Sequence, residues 1–298
     1  YPNADNENTR DIKAFIGKNV NGKKKFVESA KLIGLEEMGD GLAGIEFLDY
    51  NNDGFVDLYV ANGLWSGTSK FDDMASMYSR AEGSTEQVFL ENRSSTQSQF
   101  MNILSHYKGD VFGKTDEKNR LSLGGFQRNK LFRNNGDGTF MEVGFLEGVD
   151  SIADGYVMAK VDINSDGKLD LVLRNGDPGT SDVRFAPVQV FQNNHKNSNS
   201  LRIKLVGGGS NYDAIGAEVS IEVDNMKLQT KQLIGNLGTA QSEKIMHFGV
   251  GTAKKIKTVT VKWPRGKVST YTNLKPGFVV IKENGNLDPS AKFLSQTK

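Results

Sequence analysis

Two nine-residue stretches carry one pattern, Asp-x-Asn-x-Asp-Gly-x-x-Asp. They are Asp49-Tyr50-Asn51-Asn52-Asp53-Gly54-Phe55-Val56-Asp57 and Asp162-Ile163-Asn164-Ser165-Asp166-Gly167-Lys168-Leu169-Asp170. Each crowds three carboxylates into one turn and then runs into an apolar strand-like segment, Leu58-Tyr59-Val60 or Leu171-Val172-Leu173. Anions this close repel one another unless a cation lies among them. Hard cations such as calcium take about six to eight oxygens from carboxylates, amides, backbone carbonyls and water. The spacing offers side chains at the first, third, fifth and ninth positions: Asp49, Asn51, Asp53 and Asp57, then Asp162, Asn164, Asp166 and Asp170. Backbone carbonyls would come from Phe55 and Lys168, and the glycine before each permits the sharp turn because it has no Cβ. The pattern predicts two Ca2+ sites. An EF-hand is excluded, since its twelfth position needs a bidentate Glu between two helices, and Val60 and Leu173 stand there. An Asx-rich turn without metal is the alternative, because Asp, Asn and Gly also build ordinary turns.

The loops sit inside a longer duplication. Asn21-Gly22-Lys23-Lys24-Lys25-Phe26-Val27-Glu28 matches Asn135-Gly136-Asp137-Gly138-Thr139-Phe140-Met141-Glu142, and Leu58–Gly63 matches Leu171–Gly176. Such self-similarity predicts a repeat architecture in which each unit buries its face against the next. The units, about 21–63 and 130–176, hold short apolar runs bounded by Asn-Gly or Asp-Gly, which are hairpin signals. Four strands in about 45 residues is the scale of a propeller blade. Phe132-Arg133-Asn134-Asn135 recurs as Phe191-Gln192-Asn193-Asn194, so a third unit begins without a metal loop after it. The insertion at about 64–128 has helical spacing at Phe71, Met74, Ala75 and Tyr78 and at Phe100, Ile103, Leu104 and Tyr107. It predicts two short amphipathic helices packed on the blades, or a specificity loop.

From Leu201 the texture changes. Leu201–Val206, Ala217–Val223 and Ile256–Trp263 alternate apolar and polar residues, the mark of half-buried antiparallel strands in a small β-sandwich or barrel with one solvated face. The domain expectation is a repeat region over 1–197, a β domain over 198–284 and a polar tail over 285–298. The fold class is all-β: propeller-type blades with a helical insertion, followed by a small antiparallel sandwich or barrel.

Composition narrows the function. A net charge of +1 gives no field for nucleic acid. Cysteine is absent, which removes disulfides, thiol chemistry and Cys-ligated zinc. No apolar run reaches the length of a membrane span. The first residues carry no signal pattern and read as a mature or trimmed fragment. His106, His195 and His247 are scattered without motif partners, and Gly39–Gly44 fits a dinucleotide-binding pattern only formally, preceding a strand instead of opening a helix. Nothing here predicts an enzyme.

The repeats at 21–63 and 130–176 resemble FG-GAP/VCBS repeats, the blades of integrin-like β-propellers. The run Leu201-Arg202-Ile203-Lys204-Leu205-Val206-Gly207, with Asn211–Ala217, Met246–Gly251 and Val261-Lys262-Trp263-Pro264-Arg265-Gly266, resembles the ASPIC/UnbV domain, here over 200–282. The two in this order are similar to bacterial relatives of the cartilage acidic protein family. The resemblance implies calcium at both Asp-rich loops, in a structural role. It also implies a secreted or cell-envelope location, and adhesion or assembly through other proteins or cell-surface glycans. A closed propeller of this type has about seven blades, so further blades from this or another polypeptide are expected. A glycan-binding or glycan-processing accessory, or a subunit of a larger envelope complex, is the alternative.

Overall fold

The computed structural model describes residues 13–35, 44–63, 127–175, 188–196, 198–209, 211–235, 242–285 and 287–288. The two insertion helices expected within 64–128, His106 and the glycine run from Gly39 to Ala43 lie outside these residues. Among the described residues the protein is almost entirely β, as its alternating runs and turn residues require. Among these residues no helix is long and apolar enough to cross a membrane.

Strands β1 (Phe15–Val20) and β2 (Lys23–Glu28) form a hairpin whose tip is Asn21-Gly22, at φ 53° and 75°. The basic run Lys23-Lys24-Lys25 begins β2 and is exposed. Next come β3 (Gly44–Leu48), β4 (Asp57–Ala61), β5 (Lys130–Asn134) and β6 (Phe140–Glu142), which form one sheet in that order. A four-residue helix, α1 (Gly144–Glu147), leads to β7 (Gly155–Val161), β8 (Asp170–Asn175) and β9 (Val188–Phe191), a three-stranded sheet. The sheets are out of phase with the sequence repeat. The unit at 130–176 supplies β5 and β6 to one sheet and β7 and β8 to the next. The stretch between β4 and β5, which includes the insertion, joins neighbouring antiparallel strands, with Leu58 opposite Phe132.

The chain divides into two compact units. One comprises 1–46, 58–158 and 173–189. Its described core gathers Leu58, Val60 and Phe132 with Ala30 and Leu35, and the Tyr59 hydroxyl donates to the Val149 carbonyl at 2.8 Å. The other comprises 47–57, 159–172 and 190–298, so both Asp-rich loops fall with the C-terminal segment.

That C-terminal segment is a sandwich of two four-stranded sheets. The first contains β10 (Asn199–Val206), β13 (Ile245–Gly251), β16 (Gly277–Lys282) and β17 (Leu287–Asp288), in the order β13-β10-β16-β17. The second runs β12 (Gln229–Gln232), β11 (Glu218–Glu222), β14 (Ile256–Lys262), β15 (Val268–Leu274). The alternation read from sequence sets which side chains face inward. Leu201, Ile203, Leu205, Met246 and Phe248 from one sheet meet Val219, Ile221, Val259, Val261 and Trp263 from the other, and all are buried. A hairpin turn at Pro264–Lys267 joins β14 to β15, with Trp263 N–H donating to the Lys267 carbonyl at 2.8 Å. One pairing departs from the antiparallel expectation: β10 and β16 are parallel, with Ile203 opposite Val279. The chain between them passes through the second sheet and returns in the same direction, as a parallel pair requires.

Candidate functional site

Both Asp-rich loops adopt one backbone path, and their sequence dictates it. Asn52 and Ser165, each fourth in its loop, are left-handed at φ 59° and 60°, and Gly54 and Gly167 follow at φ 88° and 86°. A Cβ is disfavoured in that region, so glycine belongs at the second reversal. The side chains tie the turn in the same way twice. Asp49 Oδ1 accepts from Asp53 N–H at 3.0 Å and Oδ2 from Gly54 N–H at 2.9 Å. Asp162 takes Asp166 N–H at 3.0 Å and Gly167 N–H at 2.7 Å. Asp53 Oδ1 caps Phe55 N–H at 2.8 Å, and Asp166 Oδ1 caps Lys168 N–H at 3.0 Å. Asn51 and Asn164 donate to Asp53 and Asp166 at 2.8 and 3.1 Å. The closing aspartates reach back: Asp57 Oδ2 accepts from Tyr50 N–H at 3.1 Å, and Asp170 Oδ2 from Ile163 N–H at 2.9 Å.

The ten sequence-predicted positions lie in these two turns. Among the described residues no three Asp, Glu, His or Cys side chains gather as a metal-holding group by themselves. An ion would need the amide and backbone oxygens of each loop as well, and the oxygen-only donor set matches calcium's chemistry. In the first loop the environment disfavours a bare carboxylate. Burial, followed by repulsion from Asp53, pushes the Asp49 carboxyl up to about 7, with the Lys231 ammonium opposing. The second loop differs. Burial raises the Asp162 carboxyl and Arg202 opposes it, while at Asp166 the bonds from Lys168 and Asn164 outweigh burial and hold the carboxyl low.

Sequence reasoning missed what covers the loops. The polar positions of β10 and β13 read as a solvated face, yet Arg202 is 3% exposed and His247 6%. The two loops bury that face. Asn52 is the central contact: its carbonyl accepts from Gly251 N–H at 2.7 Å, and its Nδ2 donates to the Gly167 carbonyl at 3.2 Å. With the amide oriented by that donation, Asn52 Oδ1 faces His247 Nε2 at 2.7 Å, so Nε2 carries the imidazole proton. Ser200 Oγ donates to the same Gly167 carbonyl at 2.6 Å. Asn193, in the recurrent Phe-x-Asn-Asn sequence, donates to the carbonyls of Tyr50 at 2.7 Å and Leu169 at 3.1 Å, clipping both loops together. Gly249 lies against the first loop, where a Cβ would overlap Asp49 Oδ2 and stand 2.6 Å from the Asn52 backbone.

Beside the first loop is a cavity of about 350 Å3, walled by Phe47, Val56 and Met246 and reached by Lys231 and His247. Burial lowers the Lys231 ammonium to about 8, and its Nζ donates to the His247 carbonyl at 2.6 Å. Burial first, then the charges of Lys231, Arg202 and Lys160, hold the His247 imidazole well below its usual range. The folded chain therefore refuses a proton that the unfolded chain accepts near 6.5. The stability tied to neutral His247 is present in full above that pH and is lost as pH falls below it. His247→Gln keeps an N–H for Asn52 without a titrating ring. Between pH 6.5 and 5.5 the parent chain should lose about 1 kcal/mol relative to this variant in denaturant unfolding. Parallel pH profiles for the two proteins would refute a buried neutral imidazole.

Comparison with known proteins adds the family context. Residues 207–286 match the family described as ASPIC and UnbV. The chain is 24% identical to cartilage acidic protein 1 of Mus musculus over 260 residues, covering 83% of this chain and 37% of that protein. It is 25% identical to cartilage acidic protein 1 of Homo sapiens over 261 residues, covering 83% and 36%. The Xenopus tropicalis protein of the same name is 24% identical over 287 residues, covering 89% and 40%. The chain thus spans well under half the length of these curated relatives, and the sandwich that seats both Asp-rich loops carries the ASPIC and UnbV match.

Proposed function

We propose that the chain is an extracellular protein-interaction module without catalytic activity, in which calcium has a structural role. The observation that carries this reading is the first Asp-rich loop. Among the described residues Asp49 and Asp53 form no ion pair with a cationic side chain, and burial raises the Asp49 carboxyl, so that its anion is poorly compensated. Loops of this open kind suit the roughly millimolar calcium found outside cells. The similarity to cartilage acidic protein 1 and the ASPIC and UnbV match support a place among extracellular proteins of that kind. The strands around the loops are read as FG-GAP/VCBS-type blades, which serve adhesion and assembly in the proteins they resemble. Calcium would be held by carboxylate, amide and backbone oxygens, joining loop segments and neutralising aspartates.

The test is thermal unfolding with a chelator and then with about 2 mM calcium, alongside metal analysis of the purified protein. For a site that binds at about 0.1 mM, loading adds roughly 1.8 kcal/mol to folding stability. Asp53→Ala should remove most of that response while leaving the chelator-treated melting point near the parent value. Identical melting with and without calcium, and no bound metal, would sink the reading.

A further inference from the structure

We infer that the two Asp-rich loops are not equivalent cation sites. The sandwich supplies a built-in cation, Arg202, to the loop at 162–170, and the loop at 49–57 is left to bind an external ion. This inference rests on the calcium reading above and sharpens it from two like sites to one.

The two loops share every backbone and carboxylate bond described, so the difference lies in what faces them. In the second loop Arg202 Nη1 stands 2.6 Å from Asp162 Oδ2, and both side chains are almost fully buried. Arg202 is not free to swing away. Its Nη2 also meets Glu243 at 3.2 Å, and its guanidinium lies 5.8 Å from the centre of the Phe278 ring. A second cation comes from the loop itself, where Lys168 Nζ pairs with Asp166 Oδ2 at 2.8 Å. Asp170 is occupied by two backbone donors, Ile163 N–H at 2.9 Å and Asn193 N–H at 2.7 Å. Two of the three carboxylates therefore already hold a positive partner, and an incoming divalent ion would meet a guanidinium and an ammonium against its own charge.

Among the described residues, Asp49 and Asp53 of the first loop meet no counterpart to either group. Phe55 stands where the second loop has Lys168, and Lys227 packs over the Phe55 ring at 5.4 Å. On the sandwich side, Asn52 meets neutral His247. Lys231 acts on Asp49 through its field and not as a bonded partner. Among the described residues nothing within ion-pair distance of Asp49 or Asp53 does for them what Arg202 and Lys168 do for Asp162 and Asp166. A guanidinium with its fixed fork of donors can hold a carboxylate as a bound metal would, so in the second loop Arg202 takes the ion's place.

Calcium titration calorimetry of the parent chain should find about one ion. Asp53→Ala should abolish that binding, and Asp166→Ala should leave it unchanged. Arg202→Gln should gain a second ion and show a larger calcium-dependent rise in melting temperature than the parent chain. Lys168→Met serves if Arg202→Gln does not fold, and it should strengthen second-loop binding about tenfold, equivalent to about 1.4 kcal/mol. Two ions of equal affinity in the parent chain would overturn the inequivalence while leaving the calcium reading intact. No second ion in Arg202→Gln or Lys168→Met would overturn the assignment of those side chains as its substitutes. No calcium in any of these proteins would overturn the calcium reading itself.

Discussion

Gly249→Ala lowers the denaturation midpoint by the equivalent of about 3 kcal/mol, the upper part of the range for overpacking a tight contact. The backbone of Gly249 is ordinary for a strand, so alanine meets no conformational obstacle there. The obstacle is steric: its methyl group would overlap Asp49 Oδ2 and press on the Asn52 backbone 2.6 Å away. That backbone cannot retreat cheaply, because Asn52 is bonded to Gly251, His247 and Gly167 at once. Gly251→Ala is the matched comparison. It meets nothing within 4 Å but has φ 56°, so only backbone strain opposes it, at about 1 kcal/mol. If Gly249→Ala cost no more than Gly251→Ala in the same urea titration, the first loop would not be seated on β13 as described.

Trp263→Ala should cost about 4 kcal/mol, the usual scale for emptying a large aromatic site in a packed core. Trp263 is 1% exposed and closes the sandwich core at the end of β14. Its Nε1 donates to Ser269 Oγ at 3.0 Å across the hairpin, so the ring is oriented as well as buried. Trp263→Phe should cost far less, near 1–2 kcal/mol, because most of the apolar volume stays and the half-buried Ser269 hydroxyl can turn to water. Equilibrium unfolding of both variants in calcium reads the two effects separately. Equal losses would mean that the indole bond, and not the filled volume, holds this corner.

Much of the fold is legible because local chemistry decides it. Asn21-Gly22 before β2, and Gly136 and Gly138 before β6, reverse the chain since those residues accept positive φ. Leu201, Ile203 and Leu205 point to one core since a strand has period two. The Asp-x-Asn-x-Asp-Gly loops are legible for the same reason, being held by bonds between residues two to five apart. What sequence could not convey is long-range. A polar residue on an alternating strand reads as solvent-facing, and nothing local to Arg202 or His247 announces that loops some forty and two hundred residues earlier will bury them. The parallel partnership of β10 with β16 is hidden likewise, because it depends on the route of the chain between them. The difference between Phe55 and Lys168 was visible, but with the position read only for its carbonyl, its side chain carried no weight.

The grouping of the loops with the C-terminal strands bears on how such a chain can be dissected. Composition changes near residue 198, and an excised fragment starting there would look self-sufficient, with its own apolar interior. Yet Arg202 would lose Asp162, His247 would lose Asn52, and the outer surface of β10 and β13 would meet water for the first time. Such a fragment would present a newly uncovered basic strip and invite adventitious association, so its binding properties would not be those of the intact polypeptide. The segment that sequence comparison delimits at 207–286 is a unit of inheritance; the unit that folds borrows two loops from far upstream.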